Sequence, residues 1–279
     1  MEEKQKMEKK QISKILSSVF TVVFLAIFLF SGYQIVSYLL EGKEESDLNQ
    51  EMIREAVVSV EEKPIYVEDV FPLEETVTEE ITPEKKILYY PDISVDIQKL
   101  KSEYPGIVGW LYLPETQINY PVMQAEDNDY FLHRLPNGKE NSAGSIFMDF
   151  RVNADLSHGN FILYGHNMKN NSMFGTVLDY RDSAFYENHP YLFYFTDSGK
   201  YRLEIFAGVH TTSDSYIYSF PQTDDEMRNY LSKIRSNSVF KSDVPVSATD
   251  RIFVLSTCSG RTTDTHRFVI CAKLVPIES

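Results

Sequence analysis

From about residue 96 to its end, the sequence predicts an all-β domain, built as a barrel or a sandwich. Two observations point there. Short apolar runs rich in Val, Ile, Phe and Tyr recur between turn residues, among them 107–113, 118–123, 145–148, 160–164, 192–195, 201–209, 251–255 and 267–275. Runs of four to nine residues punctuated in this way are the pattern of strands rather than of globular helices. Within this region only two segments carry a helical period.

The elements follow in chain order. From Ile15 to Leu40 no residue is charged. A helix needs about 20 apolar residues to cross the roughly 30 Å hydrocarbon layer. Lys4, Lys6, Lys9, Lys10 and Lys14 precede this stretch, and Glu41, Glu44, Glu45 and Asp47 follow it. Positive charge stays inside, so residues 1–14 are expected in the cytoplasm, 15–40 in the membrane and the rest outside. A cleaved signal peptide would have a shorter apolar core and a small-residue cleavage site, which this stretch lacks.

Residues 41–95 read as an acidic extracellular stalk. They hold 16 Asp/Glu against 5 Lys/Arg and are interrupted by Pro64, Pro72, Pro83 and Pro91. Like charges extend such a linker and prolines break long helices, although 48–60 admits a helical piece. The domain proper is then 96–279. It opens with a short helix, because Ile97, Leu100 and Tyr104 recur at helical spacing. A second helix is predicted over 224–235, where Met227, Tyr230, Leu231 and Ile234 fall at i, i+3, i+4 and i+7. Thr223 caps it, and Asp224, Asp225 and Glu226 sit in its first turn, where the helix dipole favours negative charge.

Charge and cysteine count exclude several functions. The formal net charge is −14, which argues against a nucleic-acid partner. Two cysteines, Cys258 and Cys271, exclude a disulfide framework and a Cys-rich zinc site. No H-E-x-x-H pair, C-x-x-C or phosphate-cradling glycine loop is present, so neither a metal nor any other cofactor is expected.

Three residues carry candidate chemistry. Cys258 ends the apolar run Ile252–Leu255 and is followed by Ser259 and Gly260. That places a thiol at a strand end beside a loop, where a scaffold can orient it and substrate can reach it. The alternative is a buried structural thiol. His166 follows the run Asn160–Tyr164 after Gly165, and Arg267 opens the next strand after Cys258. Taken singly, each also fits an ordinary strand end. Together they fit acyl transfer, since a thiolate nucleophile needs a proton partner and a neighbouring cation favours the anion.

Val254-Leu255-Ser256-Thr257-Cys258, followed by Arg267, resembles the T-L-x-T-C motif and downstream arginine of the sortases, with Val in place of the first Thr. Tyr164-Gly165-His166-Asn167-Met168 matches their histidine motif. Gly109-Trp110-Leu111, Ile118-Asn119-Tyr120-Pro121-Val122, Asp127-Asn128-Asp129-Tyr130-Phe131-Leu132, Gly144-Ser145-Ile146-Phe147-Met148-Asp149 and the helix at 224–235 are similar to the class B branch. The resemblance spans roughly 96–275.

It implies a closed eight-stranded β-barrel with N-terminal helices and a helix inserted before the penultimate strand. It implies a membrane-anchored cysteine transpeptidase of Gram-positive bacteria. Cys258 is then the nucleophile, His166 the proton partner and Arg267 the stabilising cation. The partners implied are exported proteins bearing a C-terminal sorting signal, cleaved after Thr, and an amine acceptor from a peptidoglycan precursor or a pilin. Asn128, Leu132, Ser256 and Thr257 would line the groove, with Tyr216 and Ile217 closing one wall. Asp149 is expected to bond a turn rather than to join a triad, and Cys271 to be a packed core thiol. The rival readings are a tethered β-domain that binds peptide or wall polymer without catalysis, and a cysteine hydrolase with water as acceptor.

Overall fold

The computed structural model describes residues 2–65, 88–260 and 265–277. The middle of the expected stalk, with Pro72 and Pro83, lies outside the described residues. The chain forms two compact units, 1–47 and 48–279. Helix α1, Glu2–Ala56, runs through the first and into the second. By length and composition it can cross a membrane, and the apolar side chains between Ile15 and Leu40 are exposed along it.

In the second unit, Met52 and Ala56 are buried against Ile93, Ile97, Leu100 and Trp110. The chain then forms β1 (Val57–Ile65) and β2 (Leu88–Val95), an antiparallel pair. Residues 48–56 and 93–95, expected in the stalk, thus supply side chains to the same cluster as the β-domain. Their acidic neighbours mask a helical spacing of buried residues, 52 and 56, that average charge does not register. Helix α2 (Ile97–Glu103) follows, capped by Asp96, whose carboxylate accepts from the Lys99 amide at 2.9 Å.

The remaining strands are β3 (Ile107–Tyr112), β4 (Asn119–Met123), β5 (Ile146–Met148), β6 (Asn160–Tyr164), β7 (Tyr191–Thr196), β8 (Gly199–Thr212), β9 (Ile252–Cys258) and β10 (His266–Pro276). They close a barrel in the order β10-β8-β7-β3-β4-β5-β6-β9, with β9 pairing back to β10. Two pairs, β4 with β5 and β6 with β9, are parallel. The eight-stranded barrel is as expected. A 3-10 turn at Gly175–Arg181 and a short helix α3 (Ser183–Asn188) between β6 and β7 were not foreseen.

Strands β6, β9 and β10 are buried on both faces, and their alternation assigns each face. Phe161, Leu163, Phe253, Leu255, Phe268 and Ile270 fill the barrel. Ile162, Val254, Val269 and Cys271 point outward, under helix α4 (Asp224–Ser236). Thr223 caps this helix as expected, and Glu226 reaches back to complete a capping box that was not foreseen. It buries Met227, Tyr230, Leu231 and Ile234, each worth roughly 1.5–3 kcal/mol when removed from water. What α4 leaves uncovered on this outer face, at the C-terminal ends of β6 and β9, is where the chemistry can sit.

Candidate active site

The ladder hydrogen bonds assemble the three candidate residues. In the parallel pair, Tyr164 stands opposite Ser256. The register continues one step beyond the strand, where the Gly165 amide donates to the Ser256 carbonyl at 3.2 Å. Two residues past Tyr164 on one strand and past Ser256 on the other are His166 and Cys258. In the antiparallel pair, Arg267 stands directly opposite Cys258. Side chains alternate along a strand, and 166, 258 and 267 share parity with the outward residues Ile162, Val254 and Val269. Cys258 therefore lies between His166 and Arg267 on one face, and all three line a groove of about 410 Å³.

His166 is held by the 125–144 loop. Its Nε2 lies 2.8 Å from the Leu132 carbonyl oxygen. A carbonyl only accepts, so Nε2 carries hydrogen and Nδ1 is the nitrogen left to exchange a proton. Burial pushes the imidazole below its ordinary value of about 6.5; His133 and Arg267 add to this and the Leu132 bond opposes it. The His133 ring centroid is 6.3 Å from that of His166.

Two glycines permit this geometry. Gly144 has φ +57°, and a Cβ there would stand 2.4 Å from the Leu132 oxygen, the atom that holds His166. A Cβ on Gly165 would meet the Phe174 ring at 2.7 Å. Thr257, fully buried, donates from Oγ1 to the Gly165 carbonyl at 2.9 Å and so ties the cysteine strand to the histidine turn.

The far wall is organised by Asp149, which has no exposed surface. Its carboxylate accepts from the Arg151 amide, from Arg151 Nε (2.8 Å) and Nη2 (2.7 Å), from Tyr164 Oη (2.8 Å) and from Asn128 Nδ2 (3.1 Å). Burial alone would raise this carboxyl; the bonds from Arg151 and Tyr164 outweigh it and hold the group below the usual carboxylate range. Burial and the Asp149 charge push the Tyr164 phenol up, so it stays a donor.

Of the residues expected in the groove, Asn128, Leu132, Ser256 and Thr257 line it, Thr257 with its hydroxyl committed to Gly165. Tyr216 and Ile217 do not. Ile217 is buried under α4, and Tyr216 lines a separate depression. The residue of that segment facing the groove is Tyr218, whose hydroxyl pairs with Ser256 Oγ at 2.8 Å. Residues 216–218 form a 3-10 turn, in which three successive side chains point in three directions. Arg151, Tyr164 and Ser213 also line the groove and were not singled out. Residues 261–264, between Cys258 and Arg267 in sequence, lie outside the described residues.

The sortase-domain family model matches residues 111–275. Sortase B of Listeria monocytogenes is 38% identical over 95% of this chain and 99% of its own length. The chain belongs to the sortase family. Sortase B of Staphylococcus aureus is 31% identical over 93% of this chain and 97% of its own. Among solved structures, Bacillus anthracis sortase B in complex with AAEK1 matches with a TM-score of 0.67 and 33% identity, covering 86% of this chain and 100% of that one. A Staphylococcus aureus sortase B-substrate complex matches at 0.62 and 35%, covering 65% and 85%. Sortases are cysteine transpeptidases that act on substrate proteins and cell-wall acceptors.

Proposed function

We propose that this sortase cleaves the C-terminal sorting signal of exported proteins after a Thr and joins the acyl half to an amine of peptidoglycan or a pilin. The observation that carries this is the register that sets His166 and Arg267 on either side of Cys258. The Cys258 thiolate attacks the carbonyl carbon of the Thr, forming a C–S bond and a tetrahedral oxyanion. Arg267 stabilises that oxyanion; one well-placed donor is typically worth roughly 2.7–4 kcal/mol. The C–N bond then breaks, its electrons going to nitrogen, and imidazolium His166 protonates the departing amine. A thioester remains. Neutral His166 next takes a proton from the incoming amine, which attacks the thioester and expels the thiolate.

The chemistry needs thiolate and imidazolium together, yet burial of His166 favours the neutral ring. An ordinary thiol is only a few per cent thiolate at pH 7. The reacting form is therefore a minority ion pair, drawn from the population as substrate excludes water and the opposite charges stabilise each other.

The N-terminal lysines and the acids after residue 40 orient α1 with residues 1–14 in the cytoplasm and the catalytic domain outside. Protease added to intact cells should remove the domain and spare an N-terminal epitope tag; the reverse would overturn this orientation.

The test of the reaction uses the full chain in detergent micelles, with quenched fluorescent peptides bearing class B-like sorting signals, with and without an added amine. Cleavage that needs Cys258 and gives amine-joined product supports the proposal. Cys258-dependent cleavage giving only free acid, whatever the amine, would make the protein a hydrolase.

A further inference from the structure

Outside the groove, the second face of the 216–221 segment and the exposed side of α4 enclose a depression of about 460 Å³. It is lined by Tyr216, Phe220, Pro221, Asn229 and Lys233, among others. Nothing in the chemistry of Cys258, His166 and Arg267 uses it. We propose that it receives the stretch of substrate polypeptide immediately upstream of the sorting signal. This rests on the transpeptidase reading above and extends it to a second recognition surface on the same substrate.

Three observations lead there. The first is continuity. Arg151 lines the groove, and its guanidinium stacks on the Phe220 ring of the depression at 4.6 Å. The 3-10 turn presents Tyr218 to the groove and Tyr216 to the depression, so the two share a wall.

The second is direction. In the thioester the enzyme keeps the acyl half while the leaving half departs, so the groove's binding surface is best used on the acyl half. That half is nearly the whole exported protein, and its chain must leave the groove over neighbouring surface. Asn160, at the start of β6, donates to the Ser219 carbonyl beside the depression at 2.8 Å, whereas His166 follows the end of the same strand. Six residues of strand span roughly 20 Å. An extended substrate therefore reaches the depression at about the sixth residue before the cleaved bond.

The third is preorganisation. Tyr230 donates to the Ile217 carbonyl at 2.8 Å, Tyr216 meets the Tyr230 ring edge-on at 6.2 Å, and Lys233 Nζ sits 3.7 Å from the Tyr216 ring centre. Wall and floor are fixed before anything binds. Aromatic and proline surface suits an apolar side chain, and the Lys233 ammonium beside it suits a carboxylate or main-chain carbonyls. Glu226 also lines the depression, but its carboxylate accepts from the Gln222 and Thr223 amides as part of the helix cap.

The experiment compares sorting-signal peptides carrying zero, three or six upstream residues of mixed apolar and acidic sequence. They are tested on the full-length enzyme in micelles and on Asn229→Trp, an exposed change that fills the depression. A second variant, Lys233→Ala, alters its charge alone. Expected is a rise in kcat/KM of about five- to twenty-fold with the longest peptide, lost in Asn229→Trp and reduced in Lys233→Ala, while the shortest peptide is turned over alike by all three. No dependence on length in the wild type, or the same rise in Asn229→Trp, overturns the proposal. If no peptide is cleaved, the transpeptidase reading fails separately. Fluorescence anisotropy with full-length Cys258→Ala then decides this one: tighter binding of longer peptides sustains it, and affinity blind to length overturns it. Selective binding of soluble wall-glycan fragments at Lys233, without peptide binding there, would also overturn it.

Discussion

Asp149→Asn separates a structural carboxylate from a reacting one. The side chain is fully buried and takes five donors from Arg151, Tyr164 and Asn128. An Asn keeps one oxygen and turns an NH2 toward donors that already hold hydrogens. Tyr164 can reverse its hydroxyl and accept; Arg151 Nη2 and Asn128 Nδ2 cannot. A bond to a charged group contributes about 1.5–3 kcal/mol, and an unsatisfied buried group costs about 1–3. The Arg151 side chain is 44% exposed, so water recovers much of its share. The net loss comes to about 2–4 kcal/mol.

Trp110 is the sole tryptophan and is wholly buried, so its fluorescence reports unfolding in urea. The Asp149 pKa is depressed in the folded state. Its contribution is therefore complete above the unfolded carboxylate value, about 3.9, and is lost as pH falls through the folded value. The gap between wild type and variant should be full at pH 7 and should narrow below about pH 4. Activity should fall about ten-fold or less, through a loosened Tyr164 and Asn128. An unchanged urea midpoint with kcat down by about 10³ would refute this reasoning and place Asp149 in the chemistry.

Three further outcomes are expected. The reacting thiolate–imidazolium pair holds the same number of protons as the resting thiol and neutral imidazole, so activity is lost in acid when the resting His166 ring takes up a further proton; with its pKa lowered, the acid limb of the kcat/KM profile should inflect below about 6.5. His133→Gln removes one of the opposing charges and should move that limb up, and a limb that stays put would deny the coupling. Gly144→Ala should cost about 1–2 kcal/mol for its left-handed backbone and cut kcat/KM by displacing the Leu132 oxygen from His166; full activity would show that bond to be dispensable. A chain starting at residue 96 should be less stable than one starting at 48 by about 3–6 kcal/mol, for the loss of buried Met52, Ala56 and Ile93; equal urea midpoints would remove 48–95 from the folded unit.

Strand positions were legible because strands buried on both faces leave short continuous apolar runs between turn residues, and the eight runs match β3–β10 within a few residues. Closure was not legible from the pattern. It depends on the parallel pairs β4–β5 and β6–β9, whose partners are far apart in sequence, and only the family resemblance supplied it. Cys258, His166 and Arg267 stood out because each ends or opens an apolar run. Arg151 gave no such signal, since its place in the groove follows from a turn around Asp149. Tyr216 and Ile217 came from the resemblance alone, and the 3-10 turn that presents Tyr218 to the groove leaves no period in the sequence to point to it. The packing of Met52 and Ala56 was hidden because a two-residue stripe in an acidic helix scarcely alters composition.

The two cysteines show what makes one thiol a candidate nucleophile and the other inert. Cys271 pairs with Val254 and Cys258 with Arg267 on the same strand pair. Their parity puts both on the outer face, separated by four residues of β9, or roughly 13 Å. Cys271 lies under α4 with no exposed surface, and burial pushes its thiol far above the ordinary value. Cys258 lies beyond the helix, half-buried in the open groove. Cover, and not strand position, separates them. Both are free thiols, so iodoacetamide at neutral pH should modify one equivalent in the folded chain and two in urea. Tryptic mapping should find the first label on Cys258. A folded-state label on Cys271 would mean that α4 lifts from the barrel on the time scale of the reaction, and the cover argument would fail.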